Sequence, residues 1–253
     1  MKMAEEILKI LNSLITFCAS VILLLMGAYA VYALWDNHQV YAAVDNVQAD
    51  LQKSKPVVSE EGETSFEELL AINEDVCAWI TLDNTAIDYP VVQGETLYSY
   101  INTDVYGDFV LAGSIFLDPE NTMDFQDAYS LLYGHHMENH KMFGDLDLYE
   151  DEMFFDDNTT GTLLLPDRSY RLEIFACLLV AASEDAIFNT GQWKTEIEGL
   201  LEFAEENALY LHEETIEALR GDSNPQVLAM STCSSAFTDA RTVVLARMVP
   251  YTQ

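Results

Sequence analysis

The chain has 253 residues, with 43 acidic against 11 basic side chains and a formal net charge of −32 at pH 7. Nucleic acid repels such a polyanion at long range, so nucleic-acid binding is excluded as a function class. The imbalance reads instead as a solvated, self-repelling surface, around a chain that is 50% hydrophobic and can bury a core.

From Leu14 to Trp35 there are 22 residues without a charge. As a helix they span about 33 Å, enough for a bilayer core of about 30 Å. Lys2 and Lys9 precede the run and Trp35 sits at its far end, where aromatic belts lie. This predicts a membrane helix at 14–35, residues 1–13 cytoplasmic, and everything after Asp36 outside. Ala28-Tyr29-Ala30 resembles a signal-peptide cleavage site. The apolar core of a signal peptide is typically about 7–15 residues, so the length favours a retained anchor over a cleaved signal. Glu5 and Glu6 balance Lys2 and Lys9, so the whole net charge belongs to the exported part.

Residues 36–64 read as a juxtamembrane helix and linker. Val40, Ala43, Val44, Val47 and Leu51 recur at helical spacing, and 56–64, with Ser59-Glu60-Glu61-Gly62-Glu63, reads as a loop. Residues 65–253 are one domain's worth of chain. A short helix is expected at 66–72, capped by Thr64 or Ser65. Strands are expected at 78–82, 86–92, 114–117, 130–133, 162–165, 170–181, 226–231 and 242–249, each an apolar or alternating run bounded by turn residues. Helices are expected at 193–207, where Ile197, Leu200, Leu201 and Ala204 share a face, and near 213–219. Eight strands with few helices predict a mostly β fold closed, or nearly closed, into a barrel.

Of the four cysteines, Cys18 lies in the membrane run, and Cys77 and Cys177 sit among apolar neighbours as small buried hydrophobes, with a bridge between them as the alternative. Cys233 differs. Ser231, Thr232, Ser234 and Ser235 flank it, a setting for an accessible thiol. It ends one strand, Arg241 begins the next, and Tyr133-Gly134-His135-His136-Met137 lies far upstream. Thiol, imidazole and guanidinium are the three parts of a thiol acyl-transfer site: nucleophile, proton carrier and oxyanion partner. His135 and His136 compete for the imidazole role, since neighbours on a strand point to opposite faces. His135, His136 and His140 lack the spacing of a zinc site, the acidic runs lack that of a calcium site, and no cofactor or metal is expected. Arg247, on the same strand as Arg241, reads as a solvated or paired side chain.

Trp79-Ile80, Ile87-Asp88-Tyr89-Pro90-Val91-Val92-Gln93, Gly113-Ser114-Ile115-Phe116-Leu117-Asp118, Tyr133-Gly134-His135-His136-Met137, Met142-Phe143-Gly144-Asp145-Leu146, and Ser231-Thr232-Cys233 with Arg241 occur here in that order. Together they resemble the sortases, membrane-anchored cysteine transpeptidases of Gram-positive bacteria, and class B most of all. The resemblance covers nearly the whole exported domain and implies a sortase-type eight-stranded barrel. It matches Cys233 to the nucleophile, His135 to the catalytic histidine and Arg241 to the arginine that steadies substrate and oxyanion. It departs at Ala229-Met230, where the family usually has Thr-Leu before Ser-Thr-Cys, and at Ser234, where some class B members carry an acidic residue.

The implied partners are secreted surface proteins or pilins bearing a C-terminal sorting motif, with a peptidoglycan precursor or a pilin lysine as the amine acceptor. The implied location is the cell membrane, with a single span and an extracellular catalytic domain. Two other readings stay open: a catalytically idle sortase-like binding module, and a thiol peptidase using water. Helix 193–207 is expected to form one wall of the substrate groove, with Lys194 and Glu198 facing substrate.

Overall fold

The computed structural model describes residues 2–56 and 65–251, in two compact units, Met1–Asp45 and Asn46–Gln253. Residues 57–64 of the loop expected at 56–64, among them the capping residue Thr64, lie outside the described residues.

One helix, α1 (Lys2–Leu51), replaces the separate membrane and juxtamembrane helices. No glycine or proline interrupts the sequence between Ala28 and Leu51, so nothing breaks the helical repeat there. It is long and apolar enough to cross a membrane. A 3₁₀ turn, Gln52–Ser54, ends it ahead of Pro56.

All eight expected strands form, with bounds shifted by a few residues. They are β1 (Val76–Leu82), β2 (Asp88–Val92), β3 (Ile115–Leu117), β4 (Tyr129–Tyr133), β7 (Thr160–Leu164), β8 (Ser169–Ala181), β10 (Val227–Cys233) and β11 (Ala240–Pro250). They pair in the order β11-β10-β4-β3-β2-β1-β7-β8, and β11 pairs back onto β8, which closes an eight-stranded barrel. Closure removes the exposed sheet edges. Three short strands join these: β5 (His136–Met137) and β6 (Lys141–Met142) form a hairpin of their own, and β9 (Tyr210–Leu211) extends the sheet beside β8.

Helix α2 (Glu67–Ile72) starts without a side-chain cap, so Ser65 does not serve as one. Its N-cap position is Phe66, which is buried, and Glu67 and Glu68 face the positive end of the helix instead. Helices α3 (Glu152–Asp157) and α4 (Asp185–Phe188) are short additions. The long helix expected at 193–207 is shorter, α5 (Glu198–Asn207). Residues 193–197 are held otherwise. The Lys194 carbonyl accepts from Ala128 N at 2.9 Å, and Trp193 Nε1 donates to the Ala186 carbonyl at 2.9 Å. Leu200, Leu201 and Ala204 are buried as the spacing predicts, together with Ile216 and Leu219 of α6 (Glu213–Arg220), against β4, β8, β10 and β11.

The stretch from Asn46 to Pro56 packs on the barrel. Leu51 is buried in one apolar cluster with Phe66, Leu69, Trp79, Tyr100 and Val105. Asp88 fastens the same corner. Its carboxylate accepts from Trp79 Nε1 at 2.6 Å, Lys55 Nζ at 2.7 Å, Thr81 Oγ1 at 2.8 Å and Gln52 Nε2 at 2.9 Å. Partial burial acts to raise its pKa, but these donors outweigh it and hold the carboxyl below its ordinary value.

Asp88→Asn should therefore cost about 1.5–3 kcal/mol at neutral pH, the range for hydrogen bonds to a charged group. The sign with pH is fixed, because a carboxyl depressed in the folded state stabilises it above the unfolded value, near 4, and loses that contribution as pH falls through the lower folded value. Chemical denaturation of both proteins should show a gap that shrinks below about pH 4; a gap constant with pH would rule out a charged Asp88 as its source.

Candidate active site

The strand register brings the three polar groups together. β10 lies between β4 and β11. Against β11 it runs antiparallel, and the last pair is Cys233 with Arg241. Against β4 it runs parallel, and the last pair is Ser231 with Tyr133. Cys233 is two residues further along β10, and His135 follows two residues after the end of β4. The ends of these strands thus open on one cavity that His135, Cys233 and Arg241 all line.

Local hydrogen bonds fix this junction where the ladder stops. Gly134 N donates to the Ser231 carbonyl at 3.2 Å, and Thr232 Oγ1 donates to the Gly134 carbonyl at 2.9 Å. Gly134 is required by space: a Cβ there would lie 2.5 Å from Ile115 Cδ1 and 2.7 Å from the Phe143 ring. Any side chain would push the next residue, His135, off its place.

His135 itself is not on a strand, since β4 ends at Tyr133 and β5 begins at His136. The alternation argument for choosing between the two histidines therefore does not apply; their partners separate them. His135 Nε2 lies 2.7 Å from the Ile101 carbonyl. A carbonyl only accepts, so Nε2–H donates and this bond leaves Nδ1 unused. His136 Nε2 lies 2.6 Å from Asp147 Oδ2, and His140 Nδ1 lies 2.6 Å from Asp145 Oδ1. Both anchor the β5–β6 hairpin, whose turn residues Asn139 and His140 take positive φ of 60° and 59°, as in a type I′ turn.

His135, Cys233 and Arg241 line one cavity of about 330 Å³. Cys233 is exposed and free; Cys77 and Cys177 are buried, also free, and form no bridge. Burial raises both of the latter, Cys77 beyond the usual thiol range and Cys177 to about 12, so they are inert as nucleophiles. Among the described residues Arg241 makes no ion pair, and its guanidinium hydrogen-bonds only to the Ala240 carbonyl, at 2.9 Å. Arg247 is paired instead, with Asp222 at 3.0 Å and Glu173 at 3.3 Å. Arg241 keeps its donors available to a ligand.

The rest of the cavity is mostly apolar, and the sequence reading missed most of it. Phe116, Tyr133 and Phe188 stack in series, with ring centroids 5.3 Å and 6.3 Å apart. Tyr133 is fixed by its hydroxyl, which donates to buried Asp118 at 2.9 Å. Leu97, Tyr98 and Ile101 come from the connection between β2 and β3. The one available signal was three apolar residues crowded into a loop, two of which, Leu97 and Tyr98, remain exposed. The Ser231 hydroxyl lines the same cavity and has no hydrogen-bond partner among the described residues. Helix 193–207 contributes no lining residue. Its expected groove wall is supplied by Phe188 of α4, while Glu198 pairs with Arg220 of α6 at 2.8 Å, on the helix–helix side.

No family model matches the chain. Individual proteins do. A Streptococcus pyogenes class B sortase involved in pilus biogenesis superposes with a TM-score of 0.66 and 34% identity, over 73% of this chain and 97% of that one. Sortase B of Bacillus anthracis superposes with a TM-score of 0.71 and 30% identity, over 84% and 99%. Staphylococcus aureus sortase B is 25% identical over 231 residues, 90% of this chain and 93% of its own. With the closed barrel and a cavity lined by thiol, imidazole and guanidinium, this similarity over nearly the full length of those structures means that the chain belongs to the class B sortases.

Proposed function

We propose that Cys233, His135 and Arg241 perform a cysteine transpeptidation on secreted proteins outside the membrane. The reading rests above all on the three side chains lining one cavity, with the exposed thiol paired in register with Arg241. Cys233 attacks as the thiolate, and a C–S bond forms at the carbonyl carbon of a sorting motif. The carbonyl oxygen becomes an oxyanion that accepts from the Arg241 guanidinium. As the C–N bond breaks, the leaving amine takes a proton from His135, and a thioester remains on Cys233. The incoming amine gives its proton to His135 and attacks the thioester. A new amide forms and Cys233 leaves as thiolate. Arg241 favours the oxyanion because it sets a cation beside the developing negative charge.

The organisation that goes with this chemistry has residues 1–13 cytoplasmic, 14–35 spanning the membrane, 36–64 as juxtamembrane helix and linker, and 65–253 as the catalytic domain. The substrate is a surface protein with a C-terminal sorting motif. The acceptor is a peptidoglycan precursor or a pilin lysine, and the pilus role of the Streptococcus pyogenes relative supports the second. Incubating the protein with a motif peptide, with and without an added amine, separates transpeptidation from hydrolysis and from mere binding by the products formed.

Cys233→Ala should abolish the acyl adduct with little change in stability, since an exposed thiol adds little to the core. Mass spectrometry should find the adduct on Cys233 in the wild type; an adduct on Cys77 or Cys177 would overturn the assignment. His135→Ala should cost about 10²–10⁴-fold in rate, the usual worth of a general acid–base, whereas His136→Ala should cost much less. The reverse order would exchange the roles of the two histidines. Arg241→Lys keeps the charge but loses the planar fork, and should lose about 10²-fold or more in kcat. Activity within about twofold of wild type would reduce Arg241 to a nearby cation.

A further inference from the structure

His135 is held through two segments, and the C-terminal end of α1 is bonded to both. The first is the connection between β2 and β3. Its Ile101 carbonyl accepts from His135, and its Tyr106 hydroxyl donates to Asp50 Oδ2 at 2.7 Å. Between the two, residues 102–110 form a small closed loop, through Val110 N to the Asn102 carbonyl at 3.1 Å, Asp104 N to the Asp108 carbonyl at 2.9 Å and a bridge of Thr103 with Phe109. The loop therefore moves as a piece. The second segment is the β5–β6 hairpin. Phe143 N donates to the His135 carbonyl at 3.1 Å, and the preceding Met142 N donates to the Tyr89 hydroxyl at 3.0 Å. That hydroxyl donates to Gln48 Oε1 at 3.2 Å. Met142 has φ of 51°, a left-handed backbone that an unbranched side chain seldom adopts without neighbours to hold it. The apolar cluster around Leu51 and Val47 completes the contact, for it also holds Phe116, Ile101 and Tyr133 of the cavity.

We infer that Gln48 and Asp50, at the end of the helix that leads out of the apolar segment, are positioning residues for His135, acting through Tyr89–Met142 and through Tyr106–Ile101. The inference rests on the reading of His135 as the acid–base group. Its consequence is that the anchor-proximal helix is coupled to the site: displacing residues 46–51 loosens the imidazole while leaving Cys233 and Arg241, held by the barrel's own ladder, in place.

The test uses the full chain in detergent, with Tyr89→Phe and the double variant Gln48→Leu/Tyr106→Phe. Both remove hydroxyl or amide groups and keep the bulk that packs. Two readouts are taken beside the thermal midpoint: kcat and KM with a motif peptide and an amine, and the imidazole ¹⁵N signals of His135, assigned by their loss in His135→Gln. The expected result is a kcat lower by about 3- to 30-fold, short of the cost of losing the acid–base group, with KM unchanged. The His135 signals should shift as the Nε2–H bond to Ile101 weakens. Asp50→Asn, which keeps an acceptor for Tyr106, should behave like wild type where Asp50→Ala does not. Wild-type kcat and wild-type His135 signals in both variants would overturn the inference, whatever happens to the midpoint. A His135 signal that shifts while kcat stays at the wild-type value would uphold the coupling and overturn the catalytic reading of His135.

Discussion

The site depends on the position of one strand. β10 lies between a parallel neighbour and an antiparallel one, so a single register sets its end against two different segments at once. Parallel pairing with β4 carries Cys233 toward His135, and antiparallel pairing with β11 carries it to Arg241. Slipping either register by one residue would turn the thiol to the other face of the sheet. The ladder with β4 stops just before the side chains that line the cavity, and the bonds between Gly134 and Ser231–Thr232 take over its work there. The three groups thus inherit the rigidity of the barrel without being inside it.

In a chain so acidic, individual carboxylates are used as structural centres. Asp88, on β2, gathers donors from β1 and from the segment after α1. Asp118 accepts from Tyr133 at 2.9 Å and Thr190 at 3.2 Å, which joins the aromatic stack of the cavity to the segment after α4. Asp145 accepts from His140 and from Ala86 N at 2.7 Å, and Asp147 accepts from His136, so the hairpin after His135 is tied down on both flanks. Asp88 alone faces four donors, more than the two lone pairs of a neutral amide oxygen could satisfy. The cations are spent sparingly by contrast. Arg247 and Arg220 are paired with acids, while Arg241 is left with only a backbone carbonyl at the mouth of the cavity. That difference separates a structural arginine from one available to a substrate, and residue type alone does not show it.

The misplaced expectations share a cause. Helix 193–207 was read as one element because its apolar positions repeat at helical spacing. That repeat holds only from Ile197 on, while Trp193 and Lys194 are engaged with Ala186 and Ala128. Being joined in sequence to the strand of Cys233 did not bring the helix to the cavity. Its buried face packs on the sheet beside β8, and α4 reaches the thiol's side instead. The two helices expected at 14–35 and 36–55 are one, because a change of hydropathy at Asp36 changes what surrounds a helix without interrupting its hydrogen bonds.

The sequence by itself determined the strands, the class of fold, the apolar N-terminal helix and the identity of the three polar groups. Alternating and continuous apolar runs are local signals, and Ser-Thr-Cys before an arginine, with Gly-His far upstream, is a chemical one. Tertiary structure alone decided what stands beside them. Which of His135 and His136 lines the cavity depends on the end of β4 before β5 begins and on carbonyl and carboxylate partners 34 and 11 residues away. The aromatic stack of the cavity draws on Phe116, Tyr133 and Phe188, three separate elements with no common spacing. Contacts of that kind follow from barrel closure, which brings together residues that no periodicity relates.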